Sequence, residues 1–140
     1  MTYVQPSIAV VVGHGVDLVA NARIEKMLSE HGERFIGRVF TDQERAYCEQ
    51  GDKRRVERYA VRFAAKEAAL KAIGTGWRSG IAWADVEVVS EPSGRPRLAV
   101  RGRCREIAAS MGIDAWLVSL SHVEAYSIAS VIAGKHHMAD

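Results

Sequence analysis

The sequence predicts a single α+β domain in which helices pack on a mainly antiparallel sheet. Its 140 residues match the usual size of one domain, and no repeat or long linker divides them. Strand patterns lie at both ends of the chain, and helical patterns fill most of the first half. The later strands form two hairpins instead of alternating with helices, which is typical of α+β folds. We therefore treat residues 1–140 as one domain and expect residues 1–7 and 135–140 to be flexible.

The first predicted element is a buried strand that begins with the apolar run IAVVV at residues 8–12. Gly13 and Gly15 are expected to interrupt this strand, because glycine weakens strands and permits unusual backbone angles. Asn21 is expected to cap the next helix, since asparagine side chains accept hydrogen bonds from the first free amides of a helix. Gly32 is expected to end that helix.

Two more helices are predicted before residue 74. The shorter one begins at Thr41 or Asp42 and ends at Gly51. The longer one covers about residues 54–73, and its alanines form a smooth arc opposite its bulkier apolar side chains. Both helices are expected to pack on the sheet.

The pattern of the chain changes after residue 80. The segments DVEVVS and RLAV alternate apolar and polar residues, and the turn EPSGRP between them predicts a hairpin. The segment RCREIAASMG returns to helical spacing and ends at Gly112. AWLVSLSH and AYSIASVIAG then predict a second hairpin, with its turn at residues 122–124.

Composition restricts the class of protein. Cys48 and Cys104 lack the spacing of a metal site, which favours a reducing compartment. No apolar run is long enough to cross a membrane, and no signal-peptide pattern is present, so we expect a cytoplasmic protein. The net charge is only +2, but residues 34–66 hold nine Lys/Arg against five Asp/Glu. That excess favours an anionic partner. Nucleic acid is not favoured, because the cations lack interleaved aromatic residues.

The segment RFAAKEAALKAIGTG places one carboxylate, Glu67, among three cations on an alanine-rich helix. One interpretation is an i,i+4 ion pair between Glu67 and Lys71 that only supports the helix. The other is a binding site. Asp17 follows a strand and two glycines, where it is either a turn residue or a second ligand. Magnesium binds through one or two carboxylates plus substrate phosphates, and Lys71 would then neutralise phosphate oxygens.

Two later segments also hold polar groups. SLSH contains Ser121 and His122, which either cap a turn or contact a ligand. A serine hydrolase is excluded, because the sequence has no G-x-S-x-G nucleophile elbow. SGRPRL is an ordinary turn whose Arg95 and Arg97 could also hold a phosphate.

Four segments resemble the holo-[acyl-carrier-protein] synthases, which are small 4'-phosphopantetheinyl transferases: GHGVDLVANARIEKML, RFAAKEAALKAIGTG, SGRPRL and VSLSHVEAYSIASVI. The resemblance covers about residues 10–133 and keeps the family's motif order. It implies the 4'-phosphopantetheinyl transferase fold. It also implies transfer of 4'-phosphopantetheine from coenzyme A to a serine of an apo carrier protein, with adenosine 3',5'-bisphosphate as the other product.

The resemblance also implies roles for individual residues. Asp17 and Glu67 match the family's magnesium ligands, and Glu67 and Lys71 match its catalytic groups. Arg23 lies where the family meets its acidic carrier protein, and the family is typically a homotrimer with coenzyme A between subunits. The expected coenzyme A contacts are Arg62, Lys71, Gly94, Pro96, Ser121 and His122.

Two other functions are compatible with parts of the sequence. A binding module could keep the same surface without transferring a group, although it would not need both carboxylates. A basic RNA-associated domain would explain the segment DKRRVER but leaves Asp17 and Glu67 without a role. Either Glu67 or a water near the metal could accept the proton of the serine. The sequence also leaves open which carrier protein is modified.

Overall fold

A computed structural model describes residues 6–136 and confirms the predicted α+β class. The helices are α1 (Asn21–Val39), α2 (Asp42–Cys48), α3 (Arg55–Ile73) and α4 (Gly102–Ser110). The strands are β1 (Ile8–Ala20), β2 (Val86–Ser90), β3 (Pro96–Val100), β4 (Ala115–His122) and β5 (Tyr126–His136). Within the described residues, no helix has the length and apolar character that crossing a membrane requires.

The strands form two antiparallel sheets. The larger sheet has the order β1–β5–β4, and the smaller one is the predicted hairpin of β2 and β3. In the larger sheet Asp17 pairs with Ala129, and Ala129 pairs with Leu120 on the other side. Alternate residues of β5, such as Ala129 and Val131, are fully buried under α3, because successive side chains of a strand point to opposite faces.

The alanine arc of α3 packs directly on β1. A Cβ atom added to Gly15 would lie 1.9 Å from the carbonyl oxygen of Ala68, and one added to Gly13 would lie 1.9 Å from that of Ala72. Helix and strand therefore approach so closely that only glycine fits on β1. This contact fixes the position of Asp17 beside the C-terminal half of α3.

The two glycines do not interrupt β1, contrary to prediction. The strand is continuous through Gly13 and Gly15, with register shifts near its start that are typical of β-bulges. Val10 and Val11 are exposed instead of buried. The apolar run had suggested burial, but here it contributes to an exposed face of the sheet.

The first helix also differs from the prediction. Ala20 is the N-cap, and the Asn21 side chain instead bonds to the β4–β5 turn. Its amide donates to the carbonyl oxygens of Val123 and Glu124 at 3.3 and 3.1 Å, and its oxygen accepts from Ser127 at 2.7 Å. These bonds tie the start of α1 to the hairpin, a tertiary role that a local capping pattern does not reveal.

Gly32 ends the first helical segment of α1, as predicted, and a kink there joins it to a second helical segment. Its backbone is non-helical, with φ of 37°, and the helix continues to Val39. The prediction for α2 is confirmed at Thr41, which forms a capping box with Glu44. β5 continues to His136, so Lys135 and His136 belong to a strand and not to a flexible tail. The flexibility expected of residues 1–5 and 137–140 concerns positions outside the described residues.

A buried ion pair joins α2, α3 and β2. Lys66 and Glu44 are fully buried, and their charged atoms lie 2.8 Å apart. Glu44 also accepts from the Val88 amide at 2.9 Å, and Lys66 donates to the carbonyl oxygens of Trp83 and Val86. Burial lowers the pKa of Lys66, and the neighbouring Glu44 opposes that effect. Lys66 therefore has a structural role, although it stands beside Glu67 in the sequence.

Candidate active site

Asp17 and Lys71 meet at the contact between β1 and α3. The Lys71 ammonium donates to Asp17 Oδ1 at 3.0 Å and to the carbonyl oxygen of Val16 at 3.0 Å. Lys71 therefore forms its ion pair with Asp17, and the alternative of a helix-supporting pair with Glu67 is wrong for this structure. The pairing links two segments that are more than fifty residues apart in the sequence.

Glu67 lies one turn before Lys71 and is partly buried. Its Oε1 atom accepts a hydrogen bond from the Trp77 indole at 3.3 Å. Burial raises the pKa of Glu67 above its ordinary value, the Trp77 bond opposes this, and the charge of Asp17 raises it further. Lys71 and Arg23 lower the same pKa. The two carboxylates predicted to act together thus lie close enough to repel each other.

The carboxylates of Asp17 and Glu67 are suited to a magnesium ion. Two mutually repelling carboxylates from different elements are stabilised when a cation lies between them. Among the described residues no cluster of three or more His, Cys, Asp or Glu side chains could hold a metal by itself. A magnesium ion held by Asp17 and Glu67 would therefore complete its coordination with water and substrate phosphates, as this ion commonly does.

A cavity of about 620 Å³ lies on the other side of α3. Its walls include four of the six residues that were predicted to contact coenzyme A: Arg62, Gly94, Pro96 and His122. Arg54, Arg58 and Arg95 add further positive charge, so the cavity is suited to a polyanion. His122 also lies 3.0 Å from the carboxylate of Glu57.

Arg62 is the buried cation of this cavity. It donates to Ser90 Oγ at 3.0 Å and to the carbonyl oxygen of Arg58 at 3.3 Å, and its guanidinium stacks 4.1 Å from the Tyr47 ring centroid. Its buried Nε atom has no hydrogen-bond partner within the described part of the chain. A buried donor without a partner is costly, so this guanidinium is suited to a ligand oxygen.

The remaining predicted contacts lie outside this cavity. Lys71 is with Asp17, and Ser121 is exposed near the end of β4. Arg62 and Glu67 are five positions apart on α3, which rotates them by about 140° around the helix axis. One chain therefore presents the metal-type residues and the cavity residues on different sides of α3.

A second cavity, of about 470 Å³, begins at Glu67 and extends along α1. It combines a basic side with an apolar floor. The basic residues are Arg23, His31, Arg34 and Arg38, and the apolar residues are Met27, Phe35, Val39, Phe63 and Trp83. Sequence reasoning identified only Arg23. The cavity residues on one side of α1 recur at intervals of three or four positions, and this helical spacing is a signal that could have found them: Arg23, Met27, His31, Arg34 and Arg38.

Solved structures define the class of protein to which this fold and site belong. The chain is similar to a holo-[acyl-carrier-protein] synthase from Neisseria meningitidis, with a TM-score of 0.81, 32% identity, and coverage of 89% of this chain and 99% of that one. It is also similar to the Helicobacter pylori enzyme in complex with coenzyme A. In that case the TM-score is 0.76, the identity 26%, and the coverage 86% of this chain and 99% of the other.

Sequence comparison identifies the family. The family model of the 4'-phosphopantetheinyl transferase superfamily matches residues 13–130. A holo-[acyl-carrier-protein] synthase from Koribacter versatilis is 47% identical over 122 residues, which cover 87% of this chain and 97% of that protein. One from Solibacter usitatus is 43% identical over the same shares. The chain belongs to the 4'-phosphopantetheinyl transferase superfamily, which confirms the predicted resemblance.

Proposed function

We propose that this protein transfers the 4'-phosphopantetheine group from coenzyme A to a serine hydroxyl of an apo acyl carrier protein. The serine oxygen forms a bond to the phosphorus of phosphopantetheine and gives up its proton to Glu67 or to a water, while the phosphorus–oxygen bond of the diphosphate breaks and adenosine 3',5'-bisphosphate leaves. The single observation that supports this most strongly is the pairing of Asp17 with Lys71 at the β1–α3 contact, one helical turn from Glu67, in a member of this superfamily. The nucleophile belongs to the carrier, so the chain needs none.

Asp17 and Glu67 are the residues that would hold magnesium. The ion would supply positive charge to the diphosphate, which acquires negative charge as the bond breaks. Lys71 stands between β1 and α3 with its ammonium partly exposed, so it can bind a leaving phosphate oxygen without losing its anchor on Asp17. Catalysis then depends mainly on positioning and electrostatics, as in other phosphoryl transfers.

The large cavity is proposed to hold the adenosine bisphosphate part of coenzyme A. The buried side chain of Arg62 lines this cavity, together with Gly94, Pro96 and His122. Ser121 precedes His122 in β4 and lies outside this cavity in one chain, and it is proposed to contact the same ligand.

We propose a homotrimer in which coenzyme A binds between subunits. In one chain, the residues at Asp17 and Glu67 and the residues of the large cavity lie on different sides of α3. A second copy of the chain could place its own Asp17 and Glu67 beside the cavity of the first. The face of the large sheet turned away from α3 also carries exposed apolar side chains, including Val16, Leu18 and Ile128. A contiguous apolar face of this kind is suited to burial against another subunit.

The second cavity is proposed to receive the acidic carrier protein. Arg23, Arg34 and Arg38 would attract the carrier, and the apolar floor would accept a hydrophobic side chain. Because Glu67 also lines this cavity, a carrier bound there would place its serine near the proposed metal site. We propose that the reaction takes place in the cytoplasm and that carriers for fatty acid biosynthesis are among its substrates. Two buried free thiols, Cys48 and Cys104, agree with a reducing compartment.

The test is to incubate the protein with apo carrier, coenzyme A and magnesium and to measure the intact mass of the carrier. We expect the carrier mass to rise by one phosphopantetheine group, and chelation of magnesium should prevent the change. Binding of coenzyme A and carrier without any mass change would instead identify a binding module. Binding of RNA in competition with coenzyme A would favour the RNA-associated alternative.

A further inference from the structure

Trp77 is the hydrogen-bond donor to Glu67, although it stands ten positions later in the chain. The segment after α3 turns back on the helix at two glycines with positive φ, Gly74 at 76° and Gly76 at 61°. This turn places the indole N–H 3.3 Å from Glu67 Oε1. The bond occupies one carboxylate oxygen and leaves Oε2 for another partner.

The indole ring itself is held by stacking. Its centroid lies 3.8 Å from that of Trp83, and the ring of Trp83 lies 5.3 Å from that of the buried Phe63. The backbone of Trp83 is also fixed, because its carbonyl oxygen accepts from Lys66 at 3.2 Å. The N–H of Trp77 is therefore directed by a stack that rests on the core.

A hydrogen-bond donor fixed in this way can orient the Glu67 carboxylate before a metal ion binds to it. The Glu67 side chain has several rotatable bonds, and its free carboxylate would sample many orientations. Groups that hydrogen-bond a metal-binding carboxylate from outside restrict that sampling and tune metal affinity. Phe63 and Trp83 also line the cavity proposed for the carrier, so the same stack shapes both sites.

We propose that Trp77 is a positioning residue for Glu67, whose carboxylate it holds toward Asp17 through the indole N–H. This inference rests on the proposed function of Glu67 as a magnesium ligand. It assigns a role in transfer to the loop after α3, for which the sequence analysis suggested none. Stacking on Trp83 holds the Trp77 ring in place, and the indole N–H orients the Glu67 carboxylate.

The test compares two matched variants, Trp77→Phe and Trp83→Phe. Each removes one indole from the same stack and keeps an aromatic ring, but only the first removes the donor to Glu67. Magnesium affinity is measured by calorimetry in the presence of coenzyme A, together with kcat and the KM for carrier. We expect Trp77→Phe to weaken magnesium binding by about 10-fold and to lower kcat, whereas Trp83→Phe, which keeps the Trp77 N–H, leaves magnesium affinity near the parent value.

Two results would overturn the inference. Parental magnesium affinity and kcat in Trp77→Phe would show that the indole only packs. Equal losses in both variants, with equal losses of thermal stability, would show that the stack acts through packing and not through the N–H. Failure of the proposed function has a different signature, because the parent protein would then not transfer the group or Glu67→Gln would remain fully active.

Discussion

At the scale of single residues, the hydrogen-bond partners of Lys71 and Glu67 define the site. Lys71 pairs with Asp17 on β1, and Glu67 is left with the Trp77 indole. Helical spacing predicted the neighbours of Glu67 on α3 but not a partner from another segment.

Arg23 provides a test of carrier recognition. Its guanidinium lies 5.7 Å from the Phe63 ring centroid and lines the same cavity as Glu67. Arg23→Glu should raise the KM for carrier by roughly 10-fold, or about 1.4 kcal/mol, and change the KM for coenzyme A little. Steady-state kinetics at two ionic strengths checks this, with Arg105→Glu on the exposed surface of α4 as the control. An equal change in both KM values for Arg23→Glu would contradict carrier steering.

The two cysteines predict a pH dependence of stability. Burial raises the pKa of the Cys48 thiol from 9.0 to about 12 and that of Cys104 to about 11. Above pH 9 the unfolded chain loses these protons and the folded chain keeps them, so the free energy of unfolding should fall between pH 9 and 11. A Cys48→Ala, Cys104→Ala double variant should lose this part of the pH dependence in urea titrations. An identical dependence in parent and variant would refute the assignment.

At the scale of elements, the contact between α3 and β1 positions the site. Spacing and composition predicted that α3 is long and has an alanine arc, and those predictions are confirmed. The same patterns predicted that Gly13 and Gly15 interrupt β1, but these glycines instead allow α3 to pack closely on the strand. That contact is tertiary, so local sequence patterns do not reveal it. Asn21 was misassigned for the same reason: its partners Val123 and Glu124 are about a hundred positions away.

Glycine substitution tests this contact. A methyl group at Gly15 would lie 1.9 Å from the Ala68 carbonyl oxygen, so Gly15→Ala must separate the helix from the strand. We expect a loss of about 3 kcal/mol or more in the free energy of unfolding. Gly37→Ala is the control, because nothing lies within 4 Å of its added methyl group and the helix should gain about 0.5–1 kcal/mol. Chemical denaturation measures both, and a Gly15→Ala loss below 1 kcal/mol would contradict the packing.

At the scale of the whole molecule, the sequence predicted the fold class, the hairpins and the family. The resemblance implied that coenzyme A binds between subunits, but it did not show which of the expected contacts share one cavity within a single chain. Helical spacing gives the angle between Arg62 and Glu67 around α3, but motif order does not show which residues of other elements lie beside each of them. The exposed apolar side chains of the large sheet, such as Leu18 and Ile128, are likewise visible only in three dimensions.

The proposed trimer can be tested on that exposed face. Ile128→Glu places a charge on the outer side of β5, where Ile128 pairs with Leu18 and Ser121. We expect the variant to be monomeric by light scattering and to lose transfer, because each site would lack the second subunit. Met111→Glu, at an exposed apolar residue just after α4, should remain trimeric and active. A monomeric but fully active Ile128→Glu variant would exclude a site shared between subunits.

The central claim is that Asp17 and Glu67 together hold one magnesium ion beside the coenzyme A diphosphate. The most direct measurement is calorimetric titration of magnesium into the protein with coenzyme A present, for the parent, Asp17→Asn and Glu67→Gln. We predict one ion per coenzyme A, affinity at least about 10-fold weaker in both variants, and unchanged melting temperatures. Parental affinity in either variant would contradict the claim.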